Sequence, residues 1–80
     1  MHSVEFMRAP PHAGERAAYE VAIGGRPVAR IAGVGRRWRL EYGSFDLTLV
    51  SLGAARELVV RYADRILDGR PLDLHEAVRG

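Results

Sequence analysis

The spacing of apolar residues changes once along this chain, at Ser51, and that change limits the fold more than any motif does. Before it, apolar side chains recur at every second position in short runs broken by glycine. Tyr19, Val21 and Ile23 alternate with Glu20 and Ala22; Trp38, Leu40 and Tyr42 with Arg37, Arg39 and Glu41; Phe45, Leu47 and Leu49 with Asp46 and Thr48. A period of two belongs to a strand with one buried face. After Ser51 the apolar positions fall every three to four residues, which is the period of a helix lying on a sheet.

The breaks between runs order the strands. Val4-Glu5-Phe6-Met7 reads as a short strand, and Ala9-Pro10-Pro11-His12-Ala13-Gly14 as a loop, because paired prolines support neither helix nor ladder. Gly24-Gly25 lies between two extended segments and predicts a hairpin with a two-residue turn, since such turns need positive φ and glycine adopts it cheaply. That turn pairs Ile23 with Arg26 and Val21 with Val28. A three-residue loop would instead bring Ile31 onto the Tyr19, Val21 and Ile23 face, but it wants glycine where Arg26 stands. Gly33-Val34-Gly35 ends the second extended segment, residues 36–42 form a third, and Gly43-Ser44 turns into a fourth.

Ser51 is placed to cap a helix running from about 52 to 68, with Gly69 closing it and Pro71 beyond. Glu57 and Arg61 stand four apart in the favourable order. At about 100° per residue the apolar positions fill an arc of roughly 200°, wider than one sheet covers. Leu58, Val59, Tyr62 and Ile66 are expected to meet the sheet, leaving Val60, Ala63 and Leu67 in need of a second cover. Asp73-Leu74-His75-Glu76 has capping-box spacing and leads a short helix carrying Leu74, Ala77 and Val78. With Leu72, that tail supplies the cover and leaves a monomer; otherwise Val60, Ala63 and Leu67 form a second interface, as in a homodimer.

The expected fold class is therefore α+β: an antiparallel meander of three to five strands against one long helix, followed by a short C-terminal helix. Residues 1–80 read as one small domain, with a flexible Pro-rich loop within 1–17, the sheet in 18–50 and the helical part in 51–80. The order of elements is similar to that of small sheet-plus-helix DNA-reading modules such as the arm-binding domains of phage integrases. That resemblance is one of layout and assigns no site residue.

Composition bounds the function. The 12 basic residues are all Arg, and Lys, Asn, Gln and Cys are absent, as GC-rich coding favours; a GC-rich bacterium, phage or mobile element is the expected source. Without Cys there is neither a disulfide framework nor a thiolate zinc site. No basic start precedes an apolar run and no stretch approaches about 18 apolar residues, so a cytoplasmic protein free of the membrane is expected. Net charge is only +2, but residues 1–43 carry seven Arg against four Glu, and residues 44–80 five Arg against six acids.

Catalytic and cofactor motifs are incomplete. Gly33-Val34-Gly35 lacks the third glycine of a dinucleotide fingerprint and leads into a strand rather than a helix. His2, His12 and His75 share no ligand spacing, the serines have no dedicated base, and Asp64 and Asp68 are interleaved with Arg61 and Arg65 on a solvated helix face. No cofactor, metal or catalytic residue is assigned. Arg36-Arg37-Trp38-Arg39 stands out: Arg37 and Arg39 project from one side of a strand and Trp38 from the other, into the core. Arg30 and Arg26 join that positive face if the hairpin register allows. The expectation is a stand-alone, non-catalytic interaction protein, of the kind that inhibits or regulates a larger protein complex, binding through Arg37, Arg39, Arg30 and Arg26. The alternative is a nucleic-acid-binding module using the same face.

Overall fold

The computed structural model describes residues 2–72. Five strands, β1 (Val4–Ala9), β2 (Ala17–Ile23), β3 (Arg26–Val34), β4 (Arg37–Tyr42) and β5 (Phe45–Leu49), make an antiparallel sheet in sequence order. Two helices follow, α1 (Leu52–Arg61) and α2 (Ala63–Leu67). The class is α+β, as the change of period predicts. No helix among the described residues is long and apolar enough to cross a membrane.

The β2–β3 hairpin departs from its expected register. The Gly24-Gly25 turn takes positive φ at both residues (60° and 81°) and pairs Ile23 with Arg26. Beyond that pair, Val21 faces Ala29 rather than Val28, and Tyr19 faces Ile31. Val28 is the extra residue of a β-bulge. Unbulged pairing would set Arg30 opposite Tyr19, under the helices, and leave Ile31 in solvent. Inserting one residue exchanges the two faces of β3. Ile31 becomes fully buried, and the cost of burying an unpaired guanidinium is avoided. The short turn and an inward Ile31 thus coexist.

β3 continues through Gly33 to Val34, and the turn to β4 is Gly35-Arg36, closed by the Val34 and Arg37 pair. Gly33 is therefore inside the strand rather than a break in it. One face of the sheet carries Val21, Ile23, Ala29, Ile31, Leu40 and Tyr42, packed against Ala55, Leu58 and Val59 of α1 and Ile66 of α2. Trp38 packs against this core but remains half-buried.

The single long helix expected over 52–68 is two helices. Ser51 caps α1 by accepting from the Ala54 amide at 3.0 Å, and Tyr62 then leaves helical geometry (φ −113°, ψ 30°). Across that break Leu58, Val59 and Ile66, which share one helical face at these spacings, are all buried in the core. Ala63 and Leu67 also pack against it, while Val60 alone of the expected second stripe stays 59% exposed. Leu72 joins the packing. The expected short helix from Asp73, with Leu74 and Val78 as cover, lies outside the described residues.

The helical layer is tied to the rest of the molecule at two points. His2 Nε2 meets Asp64 Oδ1 at 2.8 Å, beside the Gly24 turn, whose amide donates to Ser3 O at 2.8 Å. Just after α2 the Tyr42 hydroxyl donates to Arg70 O at 2.9 Å. Replacing Leu40, which is fully buried, with Ala is expected to cost about 2–5 kcal/mol, much of a small domain's stability. Tyr42→Phe, which removes one hydrogen bond and no packing, is expected to cost about 0.5–1.5 kcal/mol. Chemical denaturation followed by circular dichroism measures both.

Candidate functional site

The bulge decides where the arginines go. It puts Arg30 on the face away from the helices, in one row with Glu20 and Glu41, while Arg39 lies in the next row beside Ala32. Arg30 thus shares a face with Arg37 and Arg39, but its charge is spent. Its Nη1 donates to Glu15 Oε2 at 2.7 Å, its Nη2 to Oε1 at 2.6 Å and to Pro10 O at 3.3 Å. A bidentate pair of this kind is strong and directional.

That pair also fastens the Pro-rich segment, residues 10–16, across the outer face. Glu15 Oε1 accepts from the His12 amide at 2.8 Å, and the Glu15 side chain is only 9% exposed. Ala18 and Ala32, though on the outer face, are buried. The Arg30 guanidinium and the His12 amide hold the Glu15 carboxyl down from 4.5 to about 2.

Arg26 does not join the group. Paired with Ile23 at the Gly24 turn, it sits at the opposite end of β3 and in phase with the helix-side face. The site expected from Arg37, Arg39, Arg30 and Arg26 therefore reduces to Arg37 and Arg39. The reason is physical in each case: Arg30 has found a carboxylate, and the two-residue turn fixes Arg26 elsewhere.

Other arginines take their place. Val34 and Arg37 close the β3–β4 turn, and the Arg16 amide donates to Gly33 O at 2.9 Å, so Arg16, Arg36 and Arg37 share one end of the sheet. Arg39 and Arg8 stand within the next rows, Arg39 outward and Arg8 beside Tyr19 on the helix side. Of these five, only Arg39 makes an ion pair among the described residues, with Glu41 at 3.7 Å.

Arg16 is held with particular care. Its guanidinium lies 4.6 Å over the Trp38 ring, and Nη1 donates to Gly35 O at 2.6 Å. Tyr19 completes the cluster, its ring centroid 6.3 Å from that of Trp38. A Cβ on Gly33 would stand 2.8 Å from Arg16 Nη1, so the glycine in mid-strand makes room for the arginine. Arg8 and Arg16 do not stand out in the sequence because neither belongs to the Arg36–Arg39 run. A glycine inside a strand pattern, marking close approach, was the available signal.

Two open depressions lie elsewhere on the molecule and include none of Arg8, Arg16, Arg36 or Arg37. One of about 290 Å³ lies beside the bulge, lined by Glu20, Val28, Arg30, Glu41 and Tyr42. The other, about 510 Å³, runs between β1 and α1 and is lined by Phe6, Arg56, Glu57, Val60 and Arg61.

The Glu15 and Arg30 pair gives a pH signature. A carboxyl depressed on folding contributes stability that is full above about 4.5 and is lost as pH falls through about 2. Thermal melts in that window are expected to fall more steeply for the native chain than for Glu15→Gln. Comparison of the chain with protein-family models, curated proteins and solved structures finds no match.

Proposed function

We propose that this chain is a non-catalytic interaction protein that docks an anionic macromolecule through the arginine-bearing end of its sheet. The observation carrying the reading is that Arg8, Arg16, Arg36 and Arg37 converge there with no carboxylate paired to any of them among the described residues. Guanidinium groups on a rigid sheet can contact carboxylate or phosphate in fixed geometry. Glu15, whose side chain is 9% exposed, is committed to Arg30. The groups with displaced pKa values have structural partners: Glu15 and Arg30 one another, and Tyr42 a backbone carbonyl.

The partner's class divides into two readings. An acidic face on a larger protein, inhibited or regulated by this chain, suits the small net charge of +2. Nucleic acid is favoured by the aromatic rings set among the arginines at this end. Replacing Arg37 and Arg39 together with Glu reverses the local potential on exposed or half-exposed positions. The expected outcome is loss of binding to polyanions, assayed with poly-L-glutamate and with DNA at low salt, and a melting temperature within a few degrees of the native value. Undiminished binding would remove this face from the proposal.

A further inference from the structure

The helix-side face of the sheet is not covered evenly. α1 packs on β3, β4 and β5 and reaches β1 through Arg56, whose guanidinium lies 4.8 Å over the Phe6 ring. Toward the Gly35 end the same face carries Arg8, Tyr19 and Trp38, and Phe6 lies one row back beneath Arg56, all on the helix-side face by register. The three rings are half-buried and Arg8 is exposed. They form a diagonal from β1 to β4: Phe6 and Tyr19 are diagonal neighbours on adjacent strands, a spacing of about 7–8 Å, and Tyr19 and Trp38 reach toward one another across β3, where Gly33 has no side chain. Tyr19 and Trp38 are 6.3 Å apart between ring centroids.

The charge along this diagonal has one sign. Arg56 and Arg16 each stack on a ring at its two ends, and Arg8 stands beside Tyr19 between them. Glu57, the one acid lining the groove by Phe6, is within 3.8 Å of Arg61 and is offset by it. Stacking on Trp38 and the bond to Gly35 O hold Arg16 in place before any partner arrives, which lowers the ordering cost of a contact to it. An acidic peptide would use the arginines but not the rings. A duplex would use the arginines while keeping its bases stacked away from the rings.

We propose that this diagonal, Phe6, Tyr19 and Trp38 with Arg8, Arg16 and Arg56, is a binding strip for single-stranded nucleic acid. The arginines follow the phosphates, and unpaired bases lie against the partly exposed rings. The inference rests on the arginine-bearing end being a docking surface and goes further in naming the partner and the face. Because stacking is tolerant of base identity and no side-chain amide lines the strip, binding is expected to show little sequence preference.

Trp38 is the sole tryptophan of the chain, so its fluorescence reports on the strip directly. Titration at low salt with an oligothymidylate of about 12 nucleotides is expected to change Trp38 emission in step with binding. A duplex of equal length and poly-L-glutamate should bind at least about tenfold more weakly. Phe6→Leu, which keeps an apolar side chain and removes the ring, should weaken oligonucleotide binding about tenfold, the size of one lost stacking contact. Arg8→Gln should flatten the salt dependence by about 0.7 in log–log slope. If Phe6→Leu melts early, the native protein's emission change and preference for single strands still decide the matter. Equal binding of duplex or polyglutamate with Trp38 emission unchanged would overturn the strip and leave the arginine-bearing end as a docking surface. No binding of any polyanion would overturn both.

Discussion

One inserted residue, Val28, sets which side of β3 faces the helices. Pairing without the bulge would place Arg30 beside Tyr19 in the core layer and send Ile31 outward. The bulge buries a branched aliphatic side chain and spares a guanidinium from desolvation, and both terms favour it. The rest of the molecule follows from that choice. Ile31 becomes the middle of the row Arg8, Tyr19, Ile31, Leu40 and Leu47 that crosses all five strands. Arg30, released to the outer face, captures Glu15 and Pro10 O and fixes the course of residues 10–16.

Fixing that segment in turn positions Arg16. The chain leaves Glu15 on one face of the sheet, and the next residue wraps its guanidinium over Trp38 on the other. Structure and proposed function therefore share a cause. The register that pairs Arg30 with Glu15 leaves Arg8, Arg16, Arg36 and Arg37 without an ion-pair partner among the described residues. Arg30 and Glu15 serve stability, whereas the unpaired arginines contribute little to it and are available for contact.

Much of the fold was legible because its signals are local. Alternation located the strands, Gly24-Gly25 and Gly43-Ser44 located two turns, and Ser51 located the cap of α1. The bulge was not legible, since the two-residue turn and an inward Ile31 looked like exclusive choices when only the loop length was varied. The break at Tyr62 was equally hidden. No Gly or Pro marks it, and the helical period continues through it. At the site, Arg37 and Arg39 were visible as an outward pair. The Arg30 ion pair was hidden because its partner lies 15 positions away across a loop. Arg16 escaped notice because its place depends on Gly33, 17 positions on, having no side chain.

The hairpin register is the point on which all of this turns, and nuclear Overhauser contacts across β2 and β3 measure it directly. The bulged register predicts backbone contacts of Tyr19 with Ile31 and of Val21 with Ala29, with Val28 lacking a partner opposite. Contacts of Tyr19 with Arg30 and of Val21 with Val28 would contradict it, placing Arg30 under the helices and dissolving the arrangement of residues 10–16 that positions Arg16.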